Sequence, residues 1–250
     1  MISLRDVTVA YGSRVILNHI DLDIYDGETL VILGASGSGK STILKLLIGL
    51  LKPTGGQVLI DGQDITGFSE EELLNVRKRM GMVFQYSALF DSMTVGENVA
   101  FGLRQHTAYD EEKIEAIVKE KLHLVGLDGT EQMMPNSLSG GMKKRVSLAR
   151  AIVLDPSIIL YDEPTAGLDP LRCMDINRLI VSMQRHLKAT SVVVTHDMDS
   201  AFYVADRLAL LQEGCFLAVA PKEEFRHYDN RDVQLFIHGG VLPGEGREST

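Results

Sequence analysis

Three short stretches concentrate residues that can handle a phosphate. "GASGSGKST" (Gly34, Ala35, Ser36, Gly37, Ser38, Gly39, Lys40, Ser41, Thr42) fits G-x-x-x-x-G-K-[ST]. Its glycines let backbone N–H groups turn inward around phosphate oxygens, Lys40 can reach a β- or γ-phosphate, and the Ser41 hydroxyl can hold Mg²⁺. "IILYDE" ends in two carboxylates. Asp162 can orient Mg²⁺ through its water shell, and Glu163 can take the proton of an attacking water. His196 closes "SVVVTH" and Gln85 closes "GMVFQ", so a base-like ring and an amide stand ready for the same nucleotide, Gln85 touching both metal and water.

Each stretch also has a bland reading: a glycine turn that binds nothing, a strand-ending Asp-Glu-Pro turn, a structural histidine. The surrounding elements decide against them. "TLVIL" reads as a strand before the loop and "TILKLLIGLL" as a helix after it, which is the context the motif demands. A dinucleotide site is disfavoured because the glycine order is G-x-x-G-x-G and such a site has no use for the Lys-Ser that follows. Tyr11, closing the first strand, can stack on a base or lie in the core; both readings stand.

The strands that must carry these residues are legible. In "HIDLDIYDGE", Ile20, Leu22 and Ile24 alternate with polar residues, a half-buried strand ending at Asp-Gly, and "VLIDGQDI" reads as a hairpin. "TLVILG", "IILYDE", "VVVTHD" and "LALLQEG" are instead apolar on both faces, as buried parallel strands are, with helical patterns between them. Open α/β sheets bind ligands at the carboxyl ends of such strands, so both acids and His196 face the loop. Between Gln85 and Pro156 the pattern turns helical: Ile114, Ile117, Val118, Leu122 and Val125 share one face.

"NSLSGGMKKRVSLARA" (136–151) opens a helix on Ser139, Gly140 and Gly141, although glycine costs about 1 kcal/mol relative to alanine inside a helix. Met142, Val146, Ala149 and Val153 share one face, while Lys143, Ser147 and Arg150 share the other. Lys143, Lys144 and Arg145 are expected on a solvated or nucleotide-attracting face.

Totals set the outer limits. The 250 residues suffice for one large domain, and the net charge of −9 argues against a nucleic-acid-coating surface. "MISLRD" has no secretory core, and lysines interrupt the most apolar window, "ILKLLIGLLK", so no membrane span is expected. Cys173 and Cys215 read as free buried thiols of a reducing compartment.

Together these motifs resemble the nucleotide-binding domain of ATP-binding cassette (ABC) transporters. "GASGSGKS" is similar to Walker A, "IILYDE" to Walker B, Gln85 to the Q-loop, "LSGGM" (138–142) to the signature, "AGLD" (166–169) to the D-loop and His196 to the switch histidine. The resemblance implies an α/β P-loop NTPase with a RecA-like core, an N-terminal antiparallel β subdomain and an inserted helical subdomain. It divides the chain into one domain over 1–220 (core 1–85 and 155–220, helical insert 86–154) and a short helix with a polar tail over 221–250. It implies ATP and Mg²⁺ as cofactors, with Ser41, Gln85 and Asp162 at the metal and Glu163, His196, Gln85 and Lys40 in hydrolysis. It further implies a head-to-tail homodimer in which Ser139, Gly140 and Gly141 of one copy clamp the γ-phosphate bound by the other. Met142 departs from the usual signature glutamine, which puts that residue's reach toward ribose in doubt.

"SALFDSMTV", "LRQHT" and the tail "DNRDVQLFIHG" look more like the ATPases of Mla and Mce lipid-transport systems. That implies a polytopic permease, an Mce-domain lipid-binding protein and in some systems a small regulatory subunit, with this chain peripheral on the inner face of the cell membrane. The alternative is an importer of amino acids or another small solute. Chromosome-maintenance ATPases share the motifs but separate them with long coiled coils, tandem translation factors carry two cassettes, and a nucleotide-gated adaptor without turnover has no need of the full set.

Overall fold

The computed structural model describes residues 1–240; the polar run "LPGEGREST" lies outside them. Period-2 alternation builds the N-terminal part. β1 (Ile2–Tyr11) and β2 (Arg14–Ile24) pair antiparallel, with Ile2 opposite Ile24 and Tyr11 opposite Arg14. The chain then leaves this sheet for β3 (Thr29–Leu33), buried along its whole length, and α1 (Lys40–Leu47). It returns as the hairpin of β4 (Gly55–Ile60) and β5 (Gln63–Asp64), which completes a four-stranded sheet in the order β2-β1-β4-β5.

After α2 (Glu70–Arg77) and β6 (Met80–Val83) come α3 (Val95–His106), α4 (Glu111–Leu124) and α5 (Gly140–Ala151). β7 (Ile158–Asp162), α6 (Pro170–Leu187), β8 (Thr190–Thr195), α7 (Met198–Val204) and β9 (Arg207–Gln212) follow in alternation. The chain continues through β10 (Cys215–Pro221), α8 (Lys222–Arg226) and α9 (Arg231–Ile237). The second sheet has the order β10-β9-β3-β8-β7-β6, parallel throughout except for β10.

Because successive side chains alternate across a strand, the parallel strands serve two cores. Val31, Leu33, Ile159, Tyr161 and Val193 meet the apolar faces of α3 to α9, whereas Leu30, Ile32, Leu160, Val192 and Val194 meet α1, α2 and the antiparallel sheet. This explains strands that read as apolar throughout. β6 and β10 escape the same reading: β6 has four residues, one of them glycine, and β10 is an edge strand whose exposure is mixed. α3, α4 and α5 pack on one another, and their buried residues run on into the sheet's core without a break. Cys173 and Cys215 are free but half-buried rather than buried. Among the described residues, no helix is long and apolar enough to cross a membrane.

"TVGENV" has a local explanation. The Thr94 side chain accepts from Glu97 N at 3.2 Å while Glu97 Oε2 accepts from Thr94 N at 2.7 Å, a reciprocal cap on α3. Asn98, fully buried, donates to the carbonyls of Phe90, Met93 and Thr94 and accepts from Phe90 N. Asn98→Ala removes all of these and leaves part-buried backbone groups without their partner, so it should cost about 2–3 kcal/mol. Urea denaturation followed by circular dichroism measures the loss; an unchanged midpoint would mean the loop holds itself.

Candidate functional site

Parallel strands deliver their carboxyl ends to one edge, and an open cleft of about 1260 Å³ lies there. Its walls include Ala35 to Gly37 and Gly39 to Thr42 after β3, Gln85 after β6, Glu163 after β7, His196 after β8 and Gln212 at the end of β9. Tyr11 also borders it with its side chain exposed, which removes the core reading of that residue.

The loop after β3 is shaped by glycines. Gly37 and Gly39 hold φ of +80° and +107°, which side chains disfavour, and a Cβ on Gly34 would lie 2.5 Å from Leu211 O. Gly39 starts α1, so the helix's unpaired N–H groups and about half a positive charge point at the cleft. Lys40 is 7% exposed; its Nζ donates to Gly34 O (2.7 Å) and Ala35 O (3.0 Å). Burial pulls its ammonium below the ordinary lysine range, and the charges of Glu163 and Asp162 oppose that shift. Gly34 and Ser38 stand behind the cleft surface, and the Ser38 Oγ is buried with no partner among the described residues.

The two carboxylates divide by position. Asp162, the last residue of β7, accepts from Ser41 Oγ at 3.0 Å. Burial raises its carboxyl above the usual aspartate range; the Ser41 bond lowers it and the Glu163 charge raises it further. Glu163 follows in the left-handed region, φ +46°, with its N–H on Val194 O. That backbone turns the side chain back over β8, where Thr195 Oγ1 donates to it at 3.2 Å and His196 Nδ1 lies 3.0 Å from both its oxygens. Lys40 Nζ is 3.9 Å from Glu163 Oε1. Among the described residues no three His, Cys, Asp or Glu converge on one point. Ser41, Asp162 and Gln85 offer a hydroxyl, a carboxylate and an amide: oxygen donors suited to a hard cation that takes most of its shell from phosphate and water.

Ser139, Gly140 and Gly141 are not in this cleft. Ser139 caps α5, its side chain accepting from Met142 N at 3.3 Å, and both it and Gly140 are exposed. Neither glycine has a positive φ, and a Cβ would find Leu168 at 3.9 Å from Gly140 and Arg172 at 3.5 Å from Gly141, both ordinary contacts. The fold itself does not require glycine at either position. Met142 is partly buried and packs on the apolar core.

The basic run behind this turn departs from expectation. Lys144 is buried and donates to Gln85 O; Arg145 is half-buried and donates to Val125 O at 2.9 Å. α5 is buried on nearly every side after its first turn, Ser147 included, because α3, α4, α6 and β6 all pack on it. A charge run is solvated only where a face is free. Sequence reasoning also missed part of the cleft wall: Arg14, Ile16 and Lys45, and from α9 Asp232, Leu235 and Phe236. Lys45 lies one helical turn beyond Ser41, a spacing signal that was available; nothing in the sequence ties α9 to this edge.

Folding disfavours the ionised form of Asp162. Its cost is absent below the ordinary aspartate range, grows as pH rises through it, and is complete above the raised value. Asp162→Asn should therefore raise the melting temperature of the nucleotide-free chain at pH 7–8 and lose that advantage near pH 4, while abolishing magnesium-dependent hydrolysis. Thermal melts across pH check this, and a lower melting temperature at pH 7–8 would contradict it.

The chain is similar to known proteins. Residues 17–166 match the family model described as ABC transporter. The chain is 45% identical over 238 residues to a probable ribonucleotide transport ATP-binding protein, mkl, of Mycobacterium leprae, covering 95% of this chain and 69% of that one; it spans 66% of the Mycobacterium tuberculosis counterpart. It is 42% identical over 239 residues to the intermembrane phospholipid transport system ATP-binding protein MlaF of Haemophilus influenzae, covering 96% and 90%. Among solved structures, the bacterial ATP-binding cassette MJ0796, seen as a dimer in a post-hydrolysis state with ADP and Pi, superposes with a TM-score of 0.82 at 35% identity over 89% of this chain and 99% of that one. With a phosphate loop, Glu163 and a strand-end histidine lining one cleft, Asp162 bonded to the loop's Ser41, and these relatives, the chain belongs to the ABC transporter family as an ATP-binding, ATP-hydrolysing cassette.

Proposed function

We propose that this cassette powers a lipid transporter of the Mla/Mce type, acting as a head-to-tail homodimer on the inner face of the cell membrane. Lys40 exchanges its bonds to the Gly34 and Ala35 carbonyls for β- and γ-phosphate oxygens, and the loop N–H groups from Gly34 to Thr42 surround the phosphates. Tyr11 stacks on adenine. Ser41, Asp162 and Gln85 hold Mg²⁺, which when bound neutralises charge on the phosphate oxygens. Glu163 accepts the proton of water, and His196 fixes Glu163 from its exposed side and bonds the γ-phosphate. A positioned general base contributes about 10²–10⁴ in rate.

The carrying observation is the Ser139–Gly141 turn: an exposed helix start, kept free of side chains that its own fold would tolerate, and absent from its own cleft. A second copy docked head-to-tail brings that turn onto the γ-phosphate, where glycine permits close backbone approach. The bridging phosphate then closes the dimer, and its hydrolysis reopens it. With ATP and Mg²⁺, Glu163→Gln should run as a dimer in light scattering after gel filtration, and adding Ser139→Arg should return it to a monomer while nucleotide affinity is retained. A Glu163→Gln chain that stays monomeric defeats the dimer reading.

The lipid assignment is supported by the phospholipid-transport name of the Haemophilus relative and by coverage of nine-tenths of its length. The helices between 86 and 154 are the insert that meets a polytopic permease, through which an Mce-domain protein and a small regulatory subunit join the assembly. Affinity capture of the tagged chain from solubilised membranes of its own host should recover a polytopic permease with bound phospholipid. Recovery of a solute-binding protein instead moves the assignment to an importer of amino acids or similar solutes.

A further inference from the structure

The helix that carries the Ser139–Gly141 turn also carries a lysine that the fold buries. Lys144 is 5% exposed, and its ammonium donates to the backbone carbonyl of Gln85 without a paired carboxylate among the described residues. Burying such a group is costly, and a methionine or leucine would fill the volume without that cost. Burial pulls its ammonium below the ordinary lysine range, and the charges of Asp162 and Glu163 oppose that shift.

Six residues further on, Arg150 donates to Ser87 O at 2.9 Å and Ala88 O at 2.7 Å. Ser87 and Ala88 both hold left-handed backbone, φ +62° and +47°, a shape that costs free energy and persists only when neighbours impose it. Three carbonyls of one short loop are thus held by two cations of one helix. Arg150 fixes the far end of the loop; Lys144 fixes Gln85, the loop residue that lines the cleft.

We infer that Lys144 is a positioning residue that binds the Gln85 loop to the signature helix, making them one rigid piece. This rests on the head-to-tail reading, in which the Ser139–Gly141 turn serves the second copy's nucleotide and Gln85 serves its own. Closure on one ATP then sets the position of Gln85 at the other through a single helix turn.

The test is a double-mutant cycle in the purified full chain, with hydrolysis measured at saturating ATP and Mg²⁺ and affinity read with a fluorescent ADP analogue. Lys144→Met should lower kcat about tenfold while leaving affinity within about twofold, and Lys144→Arg should restore most of the rate. In a Gln85→Ala background, where no amide remains to misplace, Lys144→Met should change kcat by less than about twofold. Lys144→Leu, which likewise removes the donor, provides the same comparison if the methionine variant folds poorly. A wild-type kcat for Lys144→Met, or losses that multiply in the double variant, overturns the inference. A Gln85→Ala chain of full activity, or a Glu163→Gln chain that never dimerises, defeats the underlying reading and this inference with it.

Discussion

Buried charge of both signs has to be kept at one sheet edge without neutralising itself, and much of this structure answers that constraint. Lys40, Asp162 and Glu163 all lie where water is scarce, yet Lys40 forms no tight ion pair with either acid. The nearest opposite charges, Lys40 and Glu163, stand 3.9 Å apart, while Lys40 spends its hydrogen bonds on the loop carbonyls. Ser41 Oγ donates to Asp162 at 3.0 Å, so that carboxylate is hydrogen-bonded by a neutral group. Desolvation pushes Lys40 and Asp162 toward their neutral forms, and an anionic triphosphate bound at Lys40 relieves the part of that cost the ammonium bears. Affinity here comes partly from what the protein forgoes when alone.

The scaffold that maintains this tension is the parallel sheet. Two apolar cores clamp β3, β7 and β8 from both sides, so their last residues have little freedom. Glu163 then uses the left-handed backbone to change direction within one residue, which a longer loop would do with less precision. Strain of that kind survives only on an over-determined support. The sheet supplies it.

Legibility in the sequence followed the same division. Strands buried on both faces announced themselves as apolar runs, and residues placed by strand ends could be located because a strand's direction fixes where its end points. The helix "EEKIEAIVKEKLHL" was legible from its one-sided pattern for the same reason. What stayed hidden depends on contacts between distant segments. Lys144 and Arg145 read as solvated because sequence shows a helix's own faces but not how many neighbours cover them; α5 has several. β6 was too short to carry a period, and α9 reaches the cleft through tertiary packing of Val233 and Phe236 that no local signal encodes. The glycines divide likewise. Gly34, Gly37 and Gly39 are demanded by the chain's own geometry, whereas Gly140 and Gly141 are not.

That last contrast bears on how such a molecule couples its parts. A glycine required by a positive φ or a close backbone neighbour says something about the fold in which it sits. A glycine tolerating a Cβ on every side, at the exposed start of a helix, says something about a surface that must come close from outside. The rest of that helix is the opposite: buried nearly all round, with cations spent on the carbonyls of a loop 59 and 63 residues away in sequence. One end is exposed while the body is fastened to the loop that carries Gln85 to the chain's own cleft. A rigid rod so attached cannot be displaced at its tip without moving its anchor, because packed interiors transmit displacement rather than absorb it. In the proposed head-to-tail dimer, cooperation between two clefts needs no long relay, only a helix shared by both.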